Sequence, residues 1–299
     1  MIYKLIHSIV LLMSIIPLHV GQFLGKLMAM AFSIIPMERT AISLNNIQKS
    51  FGDSMNRVEA KKLNRKVLRH FGQMLFEVPH ILRLNQRNLD QYVYFLNERN
   101  LFEALKKGRG VFVLTGHFGN WELMSAAISL TLGNSTVIAR PFDFHPLDRL
   151  MNELRSRFGT DVIPKYRAMR KIMEAVKKNQ AVGILLDQNV DWYDGVFVKF
   201  FGRWACTNKG LALIAMKTGT PVIPAFSVKQ KDGRYCIVFE KEIKLVNTGD
   251  KIRDVEENTA LFTSVIEKYV KQYPDHYFWF HRRWKTLPYC KLPDDFYTI

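Results

Sequence analysis

The alternation of strand-like and helix-like segments after Gly110 constrains the fold more than any other feature of the sequence. Short runs rich in β-branched residues alternate there with longer amphipathic stretches. This pattern is typical of an α/β layered fold with a mostly parallel central sheet flanked by helices. The predicted strands are Val111–Thr115, Thr136–Ala139, Val182–Leu186, Val222–Phe226 and Tyr235–Phe239. The predicted helices are Trp121–Leu132, Leu147–Phe158, Arg167–Lys178, Lys209–Thr218 and Val255–Tyr273.

The segment before the alternating region has a different character. Residues 38–105 look helical, since apolar residues recur at helical spacing from Val58 to Phe76 without an opposing proline. We therefore predict one domain over residues 38–299, in which 38–105 form a helical preface and 106–299 form the α/β core.

The N-terminus is apolar and almost free of charge. The segment from Leu5 to Gly25 contains no Asp, Glu, Lys or Arg. This segment is about as long as a membrane-spanning helix. We predict that residues 1–37 are a membrane anchor, either a single transmembrane helix or a helix lying in the interface. A cleaved signal peptide and a pair of helices docked on a soluble protein are the alternatives. The basic remainder of the chain favours the cytoplasmic side of the membrane.

The net charge is strongly positive. There are 43 Lys and Arg against 27 Asp and Glu, which gives +16 with neutral His. Such a charge favours nucleic acid, an anionic membrane face or an acidic protein. The sequence has no helix-turn-helix, zinc-finger or RNA-binding signature, so no nucleic-acid partner is expected. Cys206, Cys236 and Cys290 lie far apart and form no CxxC pair, which argues against a zinc cluster or a disulfide framework.

A glycine-flanked histidine follows the first predicted strand of the core. Residues 116–122 read Gly-His-Phe-Gly-Asn-Trp-Glu. His117 therefore lies at the carboxyl edge of the sheet, where active sites of such folds are found. Glu122 lies in the first turn of the next helix, and its carboxylate is expected to reach the second imidazole nitrogen and fix the tautomer. This pair predicts general-base chemistry without a covalent nucleophile, although capping or packing explains the same residues.

Further candidates for substrate binding follow other predicted strands. Arg140 ends one strand and suits a phosphate or a polar head group. Asp187 and Gln188 end another strand and are expected to orient a sugar hydroxyl or an arginine. His281 lies among aromatic and basic residues, which suits either a membrane interface or a packed terminal segment. Three more cations are candidates for gripping phosphates, although solvated helix faces explain most cations of that region: Arg155, Arg157 and Arg170.

Residues 116–122 resemble the H-x4-D/E block of the lysophospholipid acyltransferase superfamily. The glutamate at the last position resembles, more narrowly, the bacterial lipid A biosynthesis acyltransferases. The likeness continues in order over nearly the whole chain. It includes Ala139-Arg140-Pro141, Leu186-Asp187-Gln188, Gly195 to Gly202, Thr207 to Gly210, Thr218 to Val222 and Trp279 to Lys285.

The resemblance implies an O-acyltransferase that uses an acyl thioester as co-substrate and needs no metal or other cofactor. The implied donor is acyl–acyl carrier protein, with acyl-CoA as the alternative. The implied acceptor is an anionic glycolipid, a phosphorylated and acylated glucosamine disaccharide, on the inner face of the cytoplasmic membrane. In that case His117 would be the base and Glu122 its partner. Related enzymes acylate mannosylated phosphoinositides, so another glycolipid or a lysophospholipid is the alternative acceptor.

Two other classes of function compete with this prediction. The first is a basic binding protein without catalysis, attached to a membrane or to nucleic acid, which the net charge favours. The second is a different enzyme on the same fold, such as a thioesterase, in which water takes the place of the acceptor hydroxyl.

Overall fold

The computed structural model of the chain describes residues 1–33, 35–166 and 168–288, apart from the side chain of Asp53. Cys290 and the first residue of the predicted helix Arg167–Lys178 lie outside the described residues. The two other cysteines are buried free thiols.

Ten helices and nine strands make up the described part of the chain. The helices are α1 Ile2–Ile15, α2 Leu18–Phe32, α3 Glu38–Phe51, α4 Arg57–Glu77, α5 Arg99–Leu105, α6 Trp121–Leu132, α7 His145–Ser156, α8 Ala168–Lys177, α9 Gly210–Thr218 and α10 Lys251–Gln272. The strands are β1 Val93–Leu96, β2 Val111–Thr115, β3 Ser135–Ala139, β4 Thr160–Pro164, β5 Ala181–Leu185, β6 Gly195–Phe200, β7 Arg203–Asn208, β8 Val222–Lys229 and β9 Tyr235–Phe239.

Seven of the strands form one mostly parallel sheet, in the order β1-β9-β8-β2-β5-β3-β4. The five strands from β8 to β4 are parallel to one another. Strand β9 is antiparallel to β8, and β1 is parallel to β9. The strands β6 and β7 form a separate antiparallel pair. The prediction of a mostly parallel sheet flanked by helices is confirmed.

Strand β2 shows how the sheet is buried on both faces. All five of its residues are buried, as is typical of a central parallel strand. Phe112 and Leu114 belong to the core beneath α4, α8, α9 and α10. Val111 and Val113 belong to the opposite core, which α5, α6 and α7 cover. The alternating direction of side chains along a strand thus places β2, and the turn that follows it, at the centre of the molecule.

The predicted strands and helices of the core are all present. Strands β2 and β9 and helix α6 have the predicted ends, whereas the ends of the others are shifted. Four strands were not predicted: β1, β4, β6 and β7. The helical prediction for residues 38–105 is wrong at Val93–Leu96, because this stretch pairs with β9 as strand β1. Its partner Tyr235–Phe239 lies far away in sequence, so local periodicity carries no sign of the pairing. The division of the chain at residue 38 stays a prediction.

The apolar N-terminus forms two helices, α1 and α2, and the chain bends by 119° between them. We call them the N-terminal helix pair. No single helix in the described part of the chain is long and apolar enough to cross a bilayer, whereas the two together have the length and composition of a bent span. The membrane anchor therefore stays a prediction.

Two glycines bring α2 into close contact with α4. A Cβ atom on Gly25 would lie 2.4 Å from the carbonyl oxygen of Gly72, and one on Gly72 would lie 2.5 Å from that of Gly25. Because neither residue has a side chain, the two backbones come into direct contact, and α2 packs closely against α4.

Glu77 is the centre of a buried polar network that joins this helix packing to the centre of the sheet. The residue is only 1% exposed. Its carboxylate accepts hydrogen bonds from Gln22 of α2 (3.0 Å), from Asn120 (3.1 Å) and from the Tyr235 hydroxyl (2.8 Å), and it pairs with Lys229. Burial lowers the pKa of Lys229, and the adjacent Glu77 counteracts that effect.

Glu77→Ala is expected to lower the free energy of unfolding by about 3 kcal/mol, because it leaves the buried Lys229 ammonium without its counter-charge. Chemical denaturation monitored by circular dichroism measures the change. Glu103→Ala is the matched control, since Glu103 pairs with Lys106 at the exposed surface, and we expect a change within about 0.5 kcal/mol there. Equal effects of the two substitutions would contradict the assignment of Glu77 to a buried network.

Candidate active site

The turn between β2 and α6 presents His117. A glycine is required at position 119, where φ is +59° and an added Cβ would lie 1.7 Å from the carbonyl oxygen of Ser227. Backbone bonds to the C-terminal segment hold the turn from the other side. The amide of Phe278 donates to the His117 carbonyl at 2.9 Å, and the amide of Gly119 donates to the His276 carbonyl at 2.8 Å. The imidazole is thus presented from a backbone fixed on two sides.

Asp187 is the carboxylate that contacts His117. Strands β2 and β5 are parallel neighbours with Thr115 opposite Leu185, so the residues that follow them meet at one edge of the sheet. One oxygen of Asp187 lies 2.8 Å from Nδ1 of His117, and the other accepts the backbone N–H of His117 at 3.0 Å. The Asp187 side chain is completely buried. The same carboxylate therefore fixes both the backbone and the ring of the histidine.

This contact determines the tautomer of the imidazole. An ionised carboxylate only accepts hydrogen bonds, so Nδ1 of His117 carries the proton that it donates to Asp187. The other nitrogen, Nε2, then has a lone pair, which faces the side-chain amide of Gln188 at 3.3 Å. The His117 side chain is 20% exposed. Its basic nitrogen is therefore on the side that a substrate can reach.

A second histidine supports the same carboxylate from behind. Nε2 of His281 lies 3.5 Å from Asp187 and 3.1 Å from the Tyr277 hydroxyl. Burial alone would raise the pKa of Asp187, but His117 and His281 hold it well below its ordinary value. Burial lowers the pKa of His281 itself. The segment is held in place by Asn46, whose amide donates to the His281 carbonyl at 2.6 Å.

Aromatic rings surround the exposed side of the imidazole. The Trp121 ring packs edge-on against His117 with centroids 5.0 Å apart, and the Phe278 ring lies 6.1 Å away. Trp121 and Phe278 also contact each other, at 5.9 Å. These rings lower the local dielectric constant around the base, which strengthens its bond to Asp187.

The predicted contact between His117 and Glu122 is wrong. The Glu122 carboxylate accepts two hydrogen bonds from the Arg155 guanidinium, that from Nε at 2.9 Å, and one from the indole of Trp121 at 3.1 Å. Burial lowers the pKa of Arg155, but the bonds to Glu122 outweigh it and raise the pKa overall. Nδ1 of His117 is bonded instead to Asp187, which follows strand β5. Glu122 contacts His117 only indirectly, through the Trp121 ring that bonds to Glu122 and packs on the imidazole.

The remaining predicted site residues are spread over the surface. Arg140 is exposed, pairs with Asp143 at 3.1 Å and lines an open cleft of about 320 Å³ between α7 and β4. Arg170 is exposed and pairs with Glu174 on its own helix, and Arg157 is exposed beside the Phe158 ring. The structure thus brings Asp187 and Gln188 to His117, and it brings Arg155 to Glu122 instead of leaving it free for a phosphate.

Two functional positions were missed at the level of sequence. Asp187 was identified as a candidate for binding substrate, not as the partner of the histidine, and His281 was not linked to either residue. A carboxylate at the end of a neighbouring parallel strand was the available signal for Asp187, but strand order is needed to use it. The packed alternative for the segment of His281 is the one observed, since Arg283 there is buried and stacked on Phe200 at 5.3 Å.

The profile of the family described as bacterial lipid A biosynthesis acyltransferase matches residues 2–286. The chain belongs to this family. It is an acyltransferase, and the resemblance of its motifs to the family is confirmed.

Individual relatives are distant but extend over most of the chain. The lipid A biosynthesis lauroyltransferase of Escherichia coli K12 is 25% identical over 271 residues, which cover 90% of this chain and 85% of the relative. A lipid A biosynthesis acyltransferase of Haemophilus influenzae is 27% identical over 284 residues, with 92% and 86% covered. A phosphatidylinositol mannoside acyltransferase of Mycolicibacterium smegmatis is 24% identical over 175 residues, 57% of each chain.

Replacing Glu122 and Arg155 together distinguishes a structural from a chemical role of this pair in the acyltransferase. Glu122→Leu alone is expected to lower the free energy of unfolding by about 3 kcal/mol, because it leaves the buried Arg155 without its counter-charge. Adding Arg155→Met removes that charge and is expected to restore most of the stability. Denaturation curves and acyl-transfer rates of the two variants provide the measurement.

We expect the restored double variant to transfer acyl groups within about tenfold of the wild-type rate, short of the roughly 10²–10⁴-fold loss typical of a missing acid or base. A stable double variant without activity would show instead that the Glu122 carboxylate takes part in the reaction.

Proposed function

We propose that this acyltransferase moves a fatty acyl group from an acyl thioester to a hydroxyl of an anionic glycolipid, with His117 as general base. One observation carries the proposal: Nδ1 of His117 is bonded to the buried Asp187 while Nε2 is open to the surface. A base needs this combination of a fixed tautomer and an accessible lone pair.

The reaction balances without a covalent enzyme intermediate. The acceptor hydroxyl gives its proton to Nε2 of His117 as its oxygen forms a bond to the thioester carbonyl carbon. Collapse of the tetrahedral intermediate breaks the carbon–sulfur bond, and the imidazolium returns the proton to the leaving thiolate. Among the described residues, no Ser, Thr or Cys side chain hydrogen-bonds to either ring nitrogen of His117, which supports direct attack by the substrate hydroxyl.

Asp187 stabilises the charge that develops on the imidazole. His117 and His281 keep the pKa of Asp187 well below its ordinary value. This carboxylate is therefore ionised in the folded enzyme at neutral pH. The imidazolium formed during attack then faces a full negative charge in a buried environment, where such an interaction is stronger than in water. In this proposal Glu122 and Arg155 position the Trp121 ring, and Gln188 gives up its contact with Nε2 to the acceptor hydroxyl.

We infer the donor, the acceptor and the location of the enzyme from its relatives. Several of them are named for lipid A biosynthesis, so a lipid A precursor is the proposed acceptor, with acyl–acyl carrier protein or acyl-CoA as the donor. Arg140 is proposed to contact its polar head group from the cleft beside α7. We propose that the N-terminal helix pair anchors the enzyme to the inner membrane, with the catalytic part on the cytoplasmic side.

His117→Ala is expected to reduce kcat/KM for acyl transfer by about 10²–10⁴-fold with the fold intact, because the base is lost. Asp187→Asn is expected to reduce the rate as well, because the imidazolium formed during attack loses the negative charge that faces it. Steady-state rates, with circular dichroism as a check on folding, provide the measurement. Asp232→Asn, at an exposed ion pair with Arg234, is the control and is expected to behave like the wild type. Near-normal turnover by His117→Ala would overturn the mechanism.

A lipid A precursor is expected to be acylated faster than a mannosylated phosphoinositide, because the relatives named for lipid A extend over more of the chain than those named for mannosides. Mass spectrometry of both lipids after incubation with acyl–acyl carrier protein measures the preference. The reverse preference would assign the second acceptor class. Consumption of thioester without acylation of either lipid would point to a hydrolase and contradict the proposal.

A further inference from the structure

One face of α4 carries a row of four cations without counter-charges. We define the cation row as Lys61, Lys62, Arg65 and Arg69. All four side chains are exposed, and in the part of the chain that the structure describes none of them forms an ion pair. Glu59, the acid nearest to them on α4, caps the helix instead, since its side chain accepts the Asn56 amide at 2.9 Å. The cations therefore project a concentrated positive charge into solvent.

The cation row continues the surface on which α2 is seated. Positions 61, 65, 69, 72 and 76 are spaced by three or four residues, so they lie on one face of α4. Gly72 and Phe76 are covered by α2, through contacts with Gly25 and Gly21. Lys61, Arg65 and Arg69 thus lie on the face of α4 that also carries Gly72 and Phe76, the two residues that contact α2.

The N-terminal helix pair, which packs on α4, exposes large apolar side chains. On α2, Phe23 is 58% exposed and Leu27 is 47% exposed. On α1, Leu5 and Leu12 are 62% and 66% exposed. Large apolar side chains so exposed, on two consecutive helices, mark a surface that binds something apolar.

We propose that the cation row binds the anionic headgroups of the same lipid leaflet into which the N-terminal helix pair inserts. This inference rests on the membrane attachment in the proposed function and adds a second, electrostatic contact to it. The helix pair buries its apolar side chains at the boundary of the acyl chains, as interfacial amphipathic helices do. The long side chains of the cation row then reach the level of the phosphates.

Continuity with the apolar helices favours a lipid surface over an acidic protein. An acidic protein domain would match the cation row but would leave the exposed face of α1 and α2 in water. A leaflet that contains anionic lipids matches both the apolar helices and the cation row. Its acyl chains contact the apolar side chains, and its negatively charged headgroups contact the cations. Two contacts of this kind together also hold a protein at a membrane more firmly than an apolar anchor alone.

The test compares two triple variants of the full chain. Lys61→Gln, Lys62→Gln and Arg65→Gln remove three cations from the row. Lys171→Gln, Lys177→Gln and Lys178→Gln remove three exposed cations from α8 and the residue after it, which gives this control the same net charge as the α4 variant. Flotation with vesicles of phosphatidylcholine and phosphatidylglycerol, and with pure phosphatidylcholine, measures the partition constants at low and high salt.

We expect the α4 variant to bind the anionic vesicles about 100-fold more weakly than the wild type, at roughly fivefold for each cation removed. The α8 variant is expected to stay within about threefold of the wild type. Binding to pure phosphatidylcholine is expected to be the same for all three proteins, and high salt is expected to remove the difference on anionic vesicles. Circular dichroism and thermal unfolding check that both variants fold.

Several outcomes would overturn the proposal. Equal losses in both variants would mean that net charge decides, and unchanged binding by the α4 variant would mean that the row faces away from the leaflet. Loss of binding to acyl carrier protein or to duplex DNA, with vesicle binding intact, would assign the row to that other partner. Flotation needs no catalysis, so it remains decisive even if acyl transfer is not observed. Conversely, an α4 variant that floats poorly but acylates acceptor in detergent micelles at the wild-type rate separates membrane docking from the chemistry.

Discussion

The candidate active site depends on one buried carboxylate at the edge of the central sheet. Asp187 contacts the backbone amide of His117, the ring of His117 and the ring of His281, and its side chain has no exposure to solvent. A charge in such a position is unfavourable unless donors surround it, and the two histidines and the backbone amide are those donors. The same contacts that stabilise Asp187 therefore fix which nitrogen of His117 is free to act.

The scaffold behind this contact is assembled from distant parts of the chain. The C-terminal segment supplies His281 and pairs with the backbone of the turn that carries His117. On the other side, Asn120 at the start of α6 donates to Glu77, which also binds Gln22 of α2. The N-terminal helix pair is thus linked through one buried glutamate to the turn of the active site. In the proposed function, these contacts join the helices that bind the membrane to the histidine that acts as the base.

The sequence was sufficient for the architecture of the core and for the position of the histidine. Strand β2 is a buried run of five apolar or β-branched residues, and the glycines around His117 indicated a sharp turn at the edge of the sheet. Helix α6 was predicted with its observed ends, and in the structure Asn120 caps its start and Gly133 its end. These features are local, so periodicity and capping residues reveal them.

What the sequence did not reveal depends on contacts between distant segments. Glu122 was taken as the partner of His117 because it is near in sequence, whereas the actual partner comes from the neighbouring strand. Knowing that β2 lies beside β5 in the sheet would have been enough to prefer Asp187, but strand order is a global property. The same reason explains the missed strand β1, which is defined by its pairing with β9.

Nitrogen NMR of the imidazole in protein labelled with 15N-histidine tests the central claim most directly. We predict that the neutral imidazole of His117 carries its proton on Nδ1 and has an unprotonated Nε2. We also predict that Asp187→Asn changes this pattern while Glu122→Gln leaves it unchanged. A proton on Nε2 in the wild type, or a pattern that responds to Glu122→Gln and not to Asp187→Asn, would contradict the account.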